Sequence, residues 1–127
     1  MQAFLLVGLG GALGSMGRYG LSVLIGRMWH LSFPLGTLVI NIIGSCAMGV
    51  LVGVLARLTP EWGPEARLFV AVGVLGGFTT FSAFSLDVIT LLERGEMVSA
   101  LTYALLSVVV SVLALYLGLL ITRGAVL

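Results

Sequence analysis

The chain contains no lysine, a single histidine, a single cysteine and three prolines, and only 9% of its 127 residues are charged. One cysteine, Cys46, excludes an intrachain disulfide framework and a cysteine-rich metal cluster. One histidine, His30, leaves no His-based ligand set within one chain. Soluble domains carry about 25% charged residues, so this composition does not describe a soluble monomer. The six basic residues are all arginine (18, 27, 57, 67, 94 and 123), and against five acids they leave a net charge of +1. They form no basic stripe, which makes nucleic acid a poor partner. What the chain does have is apolar sequence: 60% of its residues are hydrophobic, and eighteen glycines are spread among them. Glycines within apolar runs allow membrane helices to approach closely. The composition is that of an integral membrane protein.

Four long apolar runs, at roughly residues 2–25, 35–56, 66–91 and 98–122, each reach the ~20 helical residues that a hydrocarbon core requires. Three short polar connectors join them, too short to hold a soluble domain, so residues 1–127 read as one transmembrane domain. Trp29 and Trp62 fall in connectors, where an amphipathic ring sits well at headgroup level. The first run has no basic segment ahead of it and continues into glycine-rich apolar sequence, so it is expected to be a membrane helix and not a cleaved signal peptide. If the spans alternate, one side holds Arg57, Arg67 and Arg123 and the other Arg27 and Arg94, with Arg18 near the end of the first span. Positive-inside orientation needs an asymmetry, and this near-tie permits insertion both ways. Two copies could then pair antiparallel about an axis in the membrane plane, an inverted-repeat architecture used by transport proteins.

A polar side chain at membrane depth needs a partner, water or a substrate. Asn41 and Ser45 lie four apart on one helix face, either joining two helices by a hydrogen bond or lining a pathway. Tyr103, Ser107 and Ser111 form a hydroxyl stripe at the same spacing. Such a stripe can donate to a passing anion, or its serines can pack and bond their own backbone. The third run reads Gly76-Gly77-Phe78-Thr79-Thr80-Phe81-Ser82-Ala83-Phe84-Ser85-Leu86-Asp87. A Gly-Gly pair followed by Thr-Thr is a poor helix interior. A break there frees carbonyls that are tolerated only when buried or coordinating, and such carbonyls suit hard cations such as Na⁺; the alternative is an unbroken helix with closely packed glycines. Phe78, Phe81 and Phe84 follow at spacing three, either for packing or to turn positive ring edges toward an anion.

At these residues the chain resembles the Fluc/CrcB fluoride channels. The resemblance rests on Gly76 through Ser85, on Gly36-Thr37-Leu38-Val39-Ile40-Asn41, on Gly14 through Arg18, and on Tyr103, Ser107 and Ser111, and it covers essentially the whole chain. It implies an all-α membrane protein with four transmembrane helices per subunit, the third broken mid-membrane, assembled as an antiparallel dual-topology homodimer with two pores. It implies a structural Na⁺ at the dimer centre, held by the main-chain carbonyls of Gly76 and Thr79. By the same resemblance Asn41, Phe81, Phe84, Tyr103, Ser107 and Ser111 line the fluoride path, and Arg18 and Asp87 are vestibule residues. Asp87 stands where relatives often carry Glu, and Ala83 where Thr is common. The implied activity is passive fluoride export across the cytoplasmic membrane of a prokaryote, with no catalysis.

Other readings fit less of the sequence. A small dual-topology multidrug exporter would want an acid deep in a helix, and Asp87 lies near a span end. A non-transporting assembly factor leaves the Thr-Thr-Phe-Ser cluster and the hydroxyl stripe without a purpose. An enzyme would need a general base or a metal motif beside the buried hydroxyls, and the sequence offers neither.

Overall fold

Helix α1 (Gln2–Met28) and helix α2 (Leu35–Leu58) form the first half of the molecule in the computed structural model, which describes residues 1–124. The third apolar run is divided into α3, residues 63–78, and α4 (Phe81–Glu93), and the chain closes with α5 (Met97–Arg123). The described residues contain no strand, so the class is all-α. Within α3 a short α-turn (Gly63–Ala66) widens into a π-helix over Arg67–Leu75 and tightens again at Gly76–Phe78. π-geometry is rare and concentrates at functional sites.

The helices run up to three residues past the apolar runs. Thr59 ends α2 in the left-handed conformation (φ 42°) ahead of Pro60. Arg57, in the last turn of α2, donates from its guanidinium to the Thr122 carbonyl at 3.3 Å, near the end of α5. Among the described residues, three segments are long and apolar enough to cross a membrane: Leu35–Leu58, Gly63–Glu93 and Met97–Arg123. Helix α1 has 27 residues, about 40 Å at 1.5 Å per residue. Its glycines and Arg18 dilute its apolarity below that of these three.

Glycine seams decide which helices meet. Helix α1 lies along α3, and α2 lies along α5. A Cβ added to Gly14 would run into the Val74 carbonyl, and one on Gly77 would stand 2.7 Å from the Gly11 carbonyl oxygen. On the other seam, a Cβ on Gly118 would stand 2.6 Å from the Cys46 carbonyl oxygen. Only bare backbone allows such approaches. A small buried cluster comprises Leu38, Leu91, Ala100 and Tyr103, with Phe33, Ile42 and Phe84 packed on it. Large apolar side chains such as Phe4, Leu9, Leu13, Leu105, Val109 and Leu113 point outward, as suits a protein whose solvent is lipid or a second membrane subunit.

Candidate functional site

The interruption in the third run occupies Thr79 (φ −81°, ψ 156°) and Thr80 (φ −150°, ψ 119°), both extended. Local chemistry accounts for it. Gly76 and Gly77 weaken the preceding turn. Thr79 donates its backbone N–H (3.0 Å) and its hydroxyl (2.9 Å) to the Leu75 carbonyl, closing the first half-helix. Thr80 opens the second, its hydroxyl accepting the Ala83 N–H at 3.1 Å, an N-cap of the usual Ser/Thr kind.

Two distant side chains hold the interruption in place. Asn41 clamps Thr80 at two points: its Nδ2 donates to the Thr80 carbonyl (3.0 Å), and its Oδ1 accepts the Thr80 N–H (2.8 Å). The amide thus supplies what a neighbouring backbone would supply, and leaves one N–H for anything in the adjoining space. Arg18 donates from Nε to the Gly77 carbonyl at 3.1 Å, a cation at a helix C-terminus where the dipole favours it. Because α1 extends to Met28, Arg18 lies deeper than a 2–25 helix predicts, level with the interruption. Among the described residues no donor reaches the carbonyls of Gly76 and Thr79. Hard oxygen ligands left bare in this way fit a cation.

Beside the interruption lies an open cavity of about 400 Å³. Asn41, Thr79, Thr80, Phe81, Phe84, Ser107 and Ser111 line it, together with Gly44, Ser45, Met48 and apolar residues of α5. The N-terminus of α4, the positive end of its dipole, opens on the same space. Ser107 is buried, and the hydroxyl oxygens of Ser107 and Ser111 are enclosed without a hydrogen-bond partner. Other hydroxyls in the helices behave differently: Ser85, Thr90 and Thr122 each donate to the carbonyl four residues earlier. The two cavity serines therefore keep their donors free. Because an unpartnered buried hydroxyl adds nothing to stability, Ser107→Ala and Ser111→Ala are expected to leave the thermal unfolding midpoint unchanged or slightly raised. Unfolding scans on wild type and the two variants check this expectation.

The remaining residues singled out in the sequence fall in two places. Phe81 is 77% exposed and stacks tilted on Phe84 with ring centroids 5.5 Å apart. Phe84 in turn meets Tyr103 at 5.2 Å. Tyr103 does not join the serines at the cavity wall. It is fully buried, and its hydroxyl donates to Asp87 Oδ2 at 2.9 Å. Asp87 is accordingly a half-buried acceptor for the phenol. Met48 was not singled out from sequence, and Thr80 only as part of the Gly-Gly, Thr-Thr signal for a break. Thr80 matters here through its main chain, for which a sequence carries little signal, whereas Ser45 sits one turn from Asn41 and was visible.

A helical membrane protein with a largely apolar cavity, carrying a few polar side chains, beside a broken span is the class these features define. The family model described as CrcB-like protein, Camphor Resistance (CrcB), matches residues 5–119, and the chain belongs to this family. It is 54% identical over 123 residues to a Paracoccus denitrificans protein named fluoride-specific ion channel FluC, covering 97% of this chain and 96% of that one. It is 52% identical over 123 residues to a protein of the same name from Hyphomonas neptunium, covering 97% of each.

Proposed function

We propose that this protein is a passive, fluoride-selective channel that lets fluoride leave the cytoplasm. The observation that carries the reading is a cavity lined by Asn41, the Phe81 and Phe84 rings and two serines, Ser107 and Ser111, whose enclosed hydroxyls have no hydrogen-bond partner. Fluoride is small and strongly hydrated, so a narrow path must return hydrogen bonds to it without holding it. Hydroxyls, an amide N–H and ring edges are donors or positive edges of that modest strength. A membrane potential of about 100 mV, inside negative, is worth ~2.3 kcal/mol per charge, or roughly a fiftyfold outward gradient. The relatives named as fluoride-specific channels support the same reading.

The assembly we propose is an antiparallel homodimer with two pores in a prokaryotic cytoplasmic membrane, with α1 as a fourth span in each subunit. The near-tie in arginine distribution supports dual insertion. The exposed Phe81 ring and the open cavity support closure of the path by a second copy. A structural Na⁺ would be held by the Gly76 and Thr79 carbonyls, where it supplies a fixed positive charge that anchors the interruption. Asn41 and Arg18 orient those carbonyls by holding the peptide groups on either side.

The test uses purified protein in liposomes loaded with potassium fluoride, with valinomycin as the potassium path and a fluoride electrode outside. Rapid fluoride loss with negligible chloride loss from matched vesicles is the expected result. Folded dimer that moves neither ion would overturn the proposal. Phe81→Ile keeps the apolar bulk and removes the ring edge. It is expected to lower efflux roughly tenfold, the scale of an aromatic interaction of about 0.5–1.5 kcal/mol, and unchanged efflux would leave Phe81 as packing only.

A further inference from the structure

The rings that border the cavity continue away from it. Phe81 stacks on Phe84, Phe84 on Tyr103, and Tyr103 meets Phe33 edge-on, with centroids 5.6 Å apart and planes at 87°. Phe33 belongs to the connector between α1 and α2, and that connector is tied down at several points. The Phe33 carbonyl accepts from Trp29 Nε1 and from the Leu35 N–H, both at 2.8 Å. The neighbouring Ser32 donates its hydroxyl to Glu96 Oε1 at 3.0 Å, joining segments 64 residues apart in the chain. Glu96 stands at the start of α5, its N–H bonded to the Leu91 carbonyl and its own carbonyl accepting from Ala100.

The Glu96 carboxylate keeps its second oxygen, Oε2, buried with no partner. A buried, unpartnered carboxylate oxygen is costly, and a residue serving only to fill space would not carry it. Its charge is favoured at the N-terminus of α5, and its bonded oxygen meets Ser32. We infer that Ser32, Phe33 and Glu96 form a strap that sets the position of the aromatic ladder, and through it the Phe84 and Phe81 rings at the cavity. These are positioning residues for ion passage, remote from the ion itself. The inference rests on the reading of the cavity as the fluoride path. Packed rings have discrete arrangements, so releasing Phe33 from one end lets Tyr103 shift, and the shift passes to the rings stacked on it.

Fluoride efflux from liposomes is measured for wild type, Ser32→Ala, Glu96→Ala, the double variant and Glu96→Gln. All are placed in a Trp62→Phe background so that Trp29 is the remaining tryptophan. S32A and E96A are each expected to slow efflux roughly tenfold, with the double variant no slower than the worse single one, because both remove the same contact. E96Q retains an oxygen acceptor for Ser32 and gives the buried second position a donor, and is expected to conduct within about threefold of wild type. Trp29 emission is expected to move to longer wavelength in S32A and E96A and to stay in place in E96Q. If E96A does not fold, S32A, which removes one exposed hydroxyl, carries the test. Wild type that moves no fluoride overturns the channel reading and this inference with it. Wild type that conducts while S32A equals it in efflux and emission overturns the strap alone.

Discussion

Asn41→Asp is expected to lower fluoride efflux by at least about a hundredfold, and to lower the thermal unfolding midpoint as well. Aspartate keeps an oxygen to accept the Thr80 N–H but has no donor for the Thr80 carbonyl, which now accepts from Asn41 Nδ2 at 3.0 Å. The carbonyl would instead face a carboxylate oxygen. Leaving one buried polar group unpaired costs roughly 1–3 kcal/mol, equivalent to about fivefold to a hundredfold at 1.4 kcal/mol per decade. Fixed negative charge beside the cavity then opposes an anion on the same path, so the two effects act together. The double clamp also distinguishes a positioning role from simple lining. Loss of flux at full thermal stability would make Asn41 a lining residue only, whereas loss of both is the signature of an interruption no longer held. Normal flux in a stable protein would remove Asn41 from both roles.

Gly14→Val is expected to abolish recovery of folded protein, or at least to lower its unfolding midpoint more than any other change considered. Gly14 is buried, and a Cβ there would collide with the Val74 carbonyl oxygen and stand 2.8 Å from its carbon and 2.9 Å from the Phe78 nitrogen. All three are backbone atoms with nowhere to go. Overpacking costs typically ~1–3 kcal/mol, occasionally more, against a total stability of about 5–15 kcal/mol for a folded domain. The rigid α1–α3 seam places this substitution at the high end. Gly8→Val is the matched control, since nothing lies within 4 Å of a Cβ at Gly8. Monodisperse yield in detergent and the midpoint of thermal unfolding read both variants. Wild-type behaviour of G14V would mean that α1 does not lie on α3 as described.

The seam matters because α1 is the helix whose hydropathy argues least for crossing a membrane. Its place in the bundle comes from shape, Gly10 and Gly14 against Gly73 and Val74, rather than from apolar content. The spacing of its glycines suggested close packing, but nothing local names the partner helix. The same holds for α2 and α5, joined where Gly49 and Gly118 allow backbone contact.

What could be read from the sequence by itself is what depends on neighbours in the chain. Apolar runs marked the helices to within a few residues at each end. Gly76-Gly77 followed by Thr79-Thr80 marked the interruption, because weak propensity and an N-cap hydroxyl are local properties. Spacing of four placed Ser107 and Ser111 on one stripe. The tertiary structure alone decided where each polar group finds its partner. A serine that bonds its own backbone and one that keeps its donor free have the same periodicity, and only the side-chain placement, which leaves the Ser107 and Ser111 hydroxyls without a hydrogen bond, separates them. Tyr103 shares their stripe, yet its longer side chain reaches Asp87 on α4 and is buried there. Arg18 reaches the Gly77 carbonyl, Asn41 the Thr80 peptide and Ser32 the Glu96 carboxylate, across 59, 39 and 64 residues of chain. Hydrogen bonds of that kind depend on which helices lie side by side, and in this protein that is set by the glycine seams.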